Sequence, residues 1–110
     1  MRKSLLILLG TLMVLSACGG GDKRPKVFLN EPQMVDVMAD TYLIEAQLNQ
    51  MKTSGTDVSG LQKAYYDQLF AHHGITDSIF EENMDYYTRH PDILERVMDS
   101  VTTRFAKAQQ

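Results

Sequence analysis

The stretch Phe70-Ala71-His72-His73-Gly74-Ile75-Thr76-Asp77-Ser78-Ile79-Phe80 carries the end of one helix and the start of the next. Gly74 suits the left-handed backbone that stops a helix, and Ile75 is then placed to fold back on Phe70. Thr76 is the expected N-cap of the following helix. Asp77 complements the positive end of its dipole, and Ile75 and Phe80 stand at staple spacing. Upstream, Leu61, Tyr65, Leu69 and His72 line one face of a helix, with Tyr66, Phe70 and His73 beside them. That helix is expected to start near Ser59, with Gln62 completing a capping box. Downstream, Phe80, Met84 and Tyr87 form a stripe, with Ile79, Asn83 and Tyr86 adjacent.

Pro91 ends this third helix, because the residue before a proline resists helical torsions. Pro91 also suits the first turn of a fourth helix. Ile93, Leu94, Val97, Met98, Val101 and Phe105 are that helix's expected core residues, and residues 106–110 are expected to fray. Toward the N-terminus, a first helix is expected over about Glu31–Lys52. Asn30 and Gln33 have capping-box spacing, and Leu29 and Met34 have staple spacing. Its core face is expected to comprise Met34, Val37, Met38, Ile44, Leu48 and Met51, broadened by Val35, Tyr42 and Leu43. Residues 53–60 read as a polar loop. No segment reads as a strand, so the fold class is all-α: a small bundle of about four helices.

The sequence has 110 residues, a net charge of −3 and one cysteine. A single cysteine cannot form an internal disulfide, so stability must come from packing. The first residues, MRKSLLILLGTLMVLSAC, combine a positive start (Arg2, Lys3) with an apolar run from Leu5 to Leu15. The run is too short to span a bilayer and fits the hydrophobic region of an export signal. Its end, Leu15-Ser16-Ala17-Cys18, resembles the bacterial lipobox. That resemblance implies a signal peptide over 1–17 and acylation of Cys18. Residues 18–29 then read as the lipidated cysteine and a flexible tether, and residues 30–110 as the helical domain.

Without the leader, nine basic residues face fourteen acidic ones, a net charge of −5. Such a balance does not suit nucleic acid, which is bound by neutralising phosphates. Lys23, Arg24 and Lys26 are the local exception, a basic cluster suited either to anionic headgroups or to a solvated linker. No acidic run follows Cys18, which favours a periplasm-facing position over export to the cell surface.

The helical segment also resembles a known family. Met34-Val35-Asp36-Val37-Met38-Ala39-Asp40-Thr41-Tyr42-Leu43-Ile44-Glu45-Ala46 carries the likeness, as do Tyr65-Tyr66, Phe70 to Thr76, and Tyr86-Tyr87-Thr88-Arg89-His90-Pro91. Together they are similar to the Bacteroidota lipoprotein family filed as domain of unknown function 4296. The resemblance implies a helical lipoprotein and supplies no catalytic residues. A fainter similarity to helical regions of periplasmic chaperones implies a second reading, a holder of envelope clients.

Four residue groups have chemistry to offer. His72, His73 and His90 invite a metal, yet adjacent histidines diverge by about 100° on a helix. Helix-end histidines beside free carbonyls explain them as well. Asp36 and Asp40 are one turn apart, and with Glu45 they suit acid–base work, a hard cation or simple solvation. Asp40 is singled out because it lies beside the apolar stripe, within reach of a tyrosine. Tyr65, Tyr66, Tyr86 and Tyr87 suit either a core or an aromatic groove, with Tyr66 and Tyr86 expected to face outward beside Phe70. The serines have no His–acid partner at recognisable spacing.

The expected interaction surface is therefore Asp40, Tyr66, Phe70, His73, Tyr86 and His90. No catalytic residue, cofactor or metal is expected. The expected partners are a lipid membrane, through acylated Cys18, and an envelope protein. The alternatives are the chaperone-like holder and a metal-binding or enzymatic protein.

Overall fold

The computed structural model describes residues 23–109. The export-signal and lipidation assignments, including Cys18, lie outside the described residues. Four helices follow one another: α1 (Glu31–Thr53), α2 (Leu61–His72), α3 (Asp77–Thr88) and α4 (Pro91–Ala108). No strand occurs among the described residues.

Local chemistry accounts for most of the boundaries. The Asn30 side chain accepts from the Gln33 amide at 3.0 Å, and the Gln33 side chain accepts from the Asn30 amide at 2.9 Å, closing the capping box of α1. Gly74 sits at φ +68 after α2. The Ile75 amide donates to the Phe70 carbonyl at 2.9 Å and the Gly74 amide to Ala71 at 3.0 Å, the two bonds of a Schellman stop. Gly74→Ala is therefore expected to cost about 1–2 kcal/mol through backbone strain alone, read as a lower thermal midpoint. A Cβ at Gly74 would meet no atom within 4 Å, so no steric clash adds to that cost. Thr76 caps α3, its hydroxyl accepting from the Ile79 amide at 3.3 Å.

The start of α2 differs from the expected cap. Its N-cap is Gly60, with no side-chain bond. The Ser59 hydroxyl and amide both donate to Asp57, at 2.7 and 3.1 Å. The Ser59 side chain is turned toward the preceding loop, and the first amides of the helix, Leu61 and Gln62, donate to the Val58 carbonyl at 3.0 and 3.4 Å. The two bonds from Ser59 hold the Asp57 carboxyl below the usual carboxylate range, the side-chain bond contributing most.

α1 packs against both α2 and α4, and α3 packs against α2 and α4. Cross-helix pairs fix the directions. Glu31–Arg96 and Asp36–Arg104 advance together, so α4 runs in the same sense as α1. Asp40–His73 and Glu45–Tyr66 run oppositely, so α2 is antiparallel to α1. The deepest core residues are Met34, Val37, Val97, Val101, Tyr87 and Asn83.

Residues 27–29, expected in the flexible tether, are bonded to α3. Asn83 Nδ2 donates to the Val27 carbonyl at 2.8 Å and Asn83 Oδ1 accepts from the Leu29 amide at 2.8 Å. The Tyr87 hydroxyl donates to the Leu29 carbonyl at 2.6 Å. Leu29 is buried, and Phe28 packs on Tyr86 and Tyr87 with centroids 5.1 and 6.1 Å apart. This strap joins the entry of α1 to α3.

Candidate functional site

The candidate surface residues sort into interface and core. Asp40 of α1 meets His73 at the end of α2, with Oδ2 and Nε2 2.6 Å apart. A carboxylate only accepts, so His73 Nε2 carries the shared proton. Both side chains are part-buried. Asp40 thus bonds a histidine rather than a tyrosine. One turn further, the half-buried Tyr66 hydroxyl donates to Glu45. These two bonds clasp α1 to α2. On the opposite flank, Arg104 bonds Asp36 at 2.8 Å and Arg96 bonds Glu31 at 2.6 Å, clasping α1 to α4. Their side chains are about half exposed, so each pair is worth no more than about 1 kcal/mol. Asp36 and Asp40 therefore turn to different neighbours and do not act as a carboxylate pair.

Phe70 and Tyr86, expected on the interaction surface, are core residues, each only 5 % exposed. Phe70 lies between Tyr66 and Phe80, with centroids 5.9 and 5.1 Å away. Tyr86 faces inward because the strap brings Phe28 against it and His90 folds back over it, centroids 4.3 Å apart. His90 Nδ1 donates to the Tyr86 carbonyl at 2.8 Å, so this histidine is an element of the α3–α4 corner. His72 is exposed, and its ring meets that of His73 edge-on. No group of three or more His, Cys, Asp or Glu able to hold a metal occurs among the described residues.

Tyr66 has a distinctive ionisation. Burial, then the hydrogen bond to Glu45 and its charge, push the phenol up to about 12. An unfolded tyrosine ionises near 10, so the folded state retains a proton that the unfolded state releases. The stability this represents is complete below about pH 10 and is lost as pH rises toward 12. Burial also raises the Tyr87 phenol, so tyrosinate absorbance of the native protein should show late titration, and Tyr66→Phe should reduce it by one phenol. An unchanged late step in Tyr66→Phe would refute the assignment.

The exposed apolar surface lies elsewhere. Tyr42 and Leu43, expected to broaden the core face of α1, are 44 % and 56 % exposed. Leu43 borders two open grooves. One, of about 420 Å³, runs between α1 and α2 past Ile44, Tyr65 and His72. The other, of about 550 Å³, runs between α1 and α4, where Tyr42, Leu43, Met98, Val101 and Phe105 form an apolar lining. The periodicity of α1 supplied an apolar face, but only the position of α4 shows which residues it leaves uncovered. No described helix is long and apolar enough to cross a membrane.

These features define a small all-α module in which Asp40, His73, Glu45 and Tyr66 clasp neighbouring helices and exposed apolar residues flank a groove. The chain belongs to the family described as "Domain of unknown function (DUF4296)", whose pattern matches residues 25–110. The match takes in the strap as well as the four helices. Neither a curated protein nor a solved structure matches the chain.

Proposed function

We propose that this protein is a lipid-anchored, non-enzymatic adaptor of the bacterial envelope, a Bacteroidota-type lipoprotein that binds a partner protein at the membrane surface. The observation that carries the reading is the N-terminal order of basic start, short apolar run and Leu15-Ser16-Ala17-Cys18. An acylated Cys18 with two or three chains would hold the domain stably, where one chain binds only marginally. The absence of an acidic run after Cys18 favours the periplasmic face of the outer membrane. The partner-binding part of the proposal draws support from the α1–α4 groove with exposed Tyr42 and Leu43, suited to the apolar stripe of a partner helix.

Mass spectrometry of the natural product tests the anchor: a bare Cys18 refutes it. Photo-crosslinking tests the adaptor role. A crosslinker at Leu43 should capture one envelope protein reproducibly, and one at the exposed Glu82 should not. Equal capture from both positions would overturn the groove as the binding face.

A further inference from the structure

Charge is unevenly divided between the N-terminal approach to the strap and the rest of the domain. Residues 27–110 hold six Lys and Arg against thirteen Asp and Glu, a net charge of −7. Four of those six cations are in ion pairs: Lys63 with Asp67, Arg89 with Asp85, Arg96 with Glu31 and Arg104 with Asp36. Just before them, Lys23, Arg24 and Lys26 are exposed and form no ion pair with a described residue. Val27 beside them is 48 % exposed, one of only three large apolar side chains so exposed among the described residues.

This cluster is not at the end of a free linker. The Arg24 guanidinium lies 4.6 Å from the Phe28 ring centroid, and Phe28 is held by Tyr86 and Tyr87. The backbone from Val27 to Leu29 is bonded to Asn83 and Tyr87. Arg24 is therefore held at one edge of the bundle, with Lys23 and Lys26 beside it in the chain.

We infer that the strap edge formed by Lys23, Arg24, Lys26 and Val27 is a headgroup-binding face for an anionic phospholipid surface, and that it orients the domain with its acidic body away from the bilayer. The inference rests on the membrane-anchored reading. Charge complementarity carries it: three cations meet anionic lipid while the −7 body is repelled, and the rigid strap turns that asymmetry into an orientation. Val27 can enter the headgroup layer beside them.

The test uses the mature chain, residues 18–110, with a single alkyl chain attached chemically to the Cys18 thiol. One chain gives weak, reversible binding, so added contacts are readable. Partitioning is measured on neutral phosphatidylcholine vesicles and on vesicles containing a third phosphatidylglycerol. The anionic vesicles should bind on the order of 10- to 100-fold more strongly at low salt, given three cations near the surface. High salt should erase the preference. The triple variant Lys23→Gln, Arg24→Gln, Lys26→Gln should lose it with little change in melting, and Lys52→Gln with Lys107→Gln should keep it. Equal partitioning on both vesicles, or a preference that survives the triple variant, overturns the inference. Because the chain is attached chemically, this result is independent of whether the cell acylates Cys18, which mass spectrometry decides separately.

Discussion

Replacing Tyr87 with alanine is expected to destabilise the domain by about 3–5 kcal/mol, the range for removing a large buried aromatic side chain. Tyr87 is fully buried. Its ring stacks on Phe28 and meets Tyr86 edge-on at 5.4 Å, and its hydroxyl holds the Leu29 carbonyl. Alanine would remove the ring that seats the strap and leave a cavity in the core. A domain of this size has only about 5–15 kcal/mol in total, so the variant should be close to unfolded at physiological temperature. Each kcal/mol corresponds to roughly 4–8 °C of melting temperature here, so thermal denaturation followed by circular dichroism reads the effect directly. Tyr87→Phe separates the two contributions. It keeps the ring and deserts one carbonyl, for an expected loss of about 1–3 kcal/mol. If the two variants melt together, the ring packing is not what holds the strap.

The second large effect falls on Asn83→Leu. Asn83 is the one buried polar residue of the described core. Its amide donates to Val27 and Ile79 carbonyls at 2.8 Å each, and its oxygen accepts from the Leu29 amide. Leucine has a similar volume, so little cavity forms, but the buried Leu29 amide and the part-buried Val27 carbonyl lose their partner. The expected cost is about 2–4 kcal/mol, from the desolvation of those unpaired groups. The effect should also be local. Hydrogen exchange at the Leu29 amide should accelerate well before the amides of α1 and α4 do. Uniform acceleration across the chain would mean that Asn83 supports the whole core rather than the strap.

Both predictions concern a contact that chain-local reasoning misses. Asn83 reads as a flank residue of the Phe80–Met84–Tyr87 stripe, and residues 27–29 read as the last part of a tether. The partners are 54 to 58 positions apart, and no helical period links them. A polar residue so close to an apolar stripe, with a short apolar run Val27-Phe28-Leu29 just before an N-cap, was the available signal. The candidate surface shows the same limit. Asp40, Tyr66 and His73 lie at the α1–α2 interface as helix-to-helix contacts, whereas Phe70 and Tyr86 are enclosed by neighbours that their own helices do not reveal.

What the amino-acid order determined unaided is where each helix starts and stops in most cases. Asn30 with Gln33, Gly74, Thr76 and Pro91 act on backbone groups within a few residues of themselves, and torsions and caps are local energies. The Ser59 cap failed for an equally local reason: residues 57–59 form a turn closed on Asp57, and the Val58 carbonyl takes the first amides of α2. Tertiary structure alone decided which apolar residues are covered. Tyr42 and Leu43 broaden the apolar face that Met38 belongs to, but burial depends on whether another helix lies opposite. It likewise decided that α4 runs alongside α1 in the same sense and that the strap closes on α3, because packing joins residues whose separation along the chain carries no information about their distance in space.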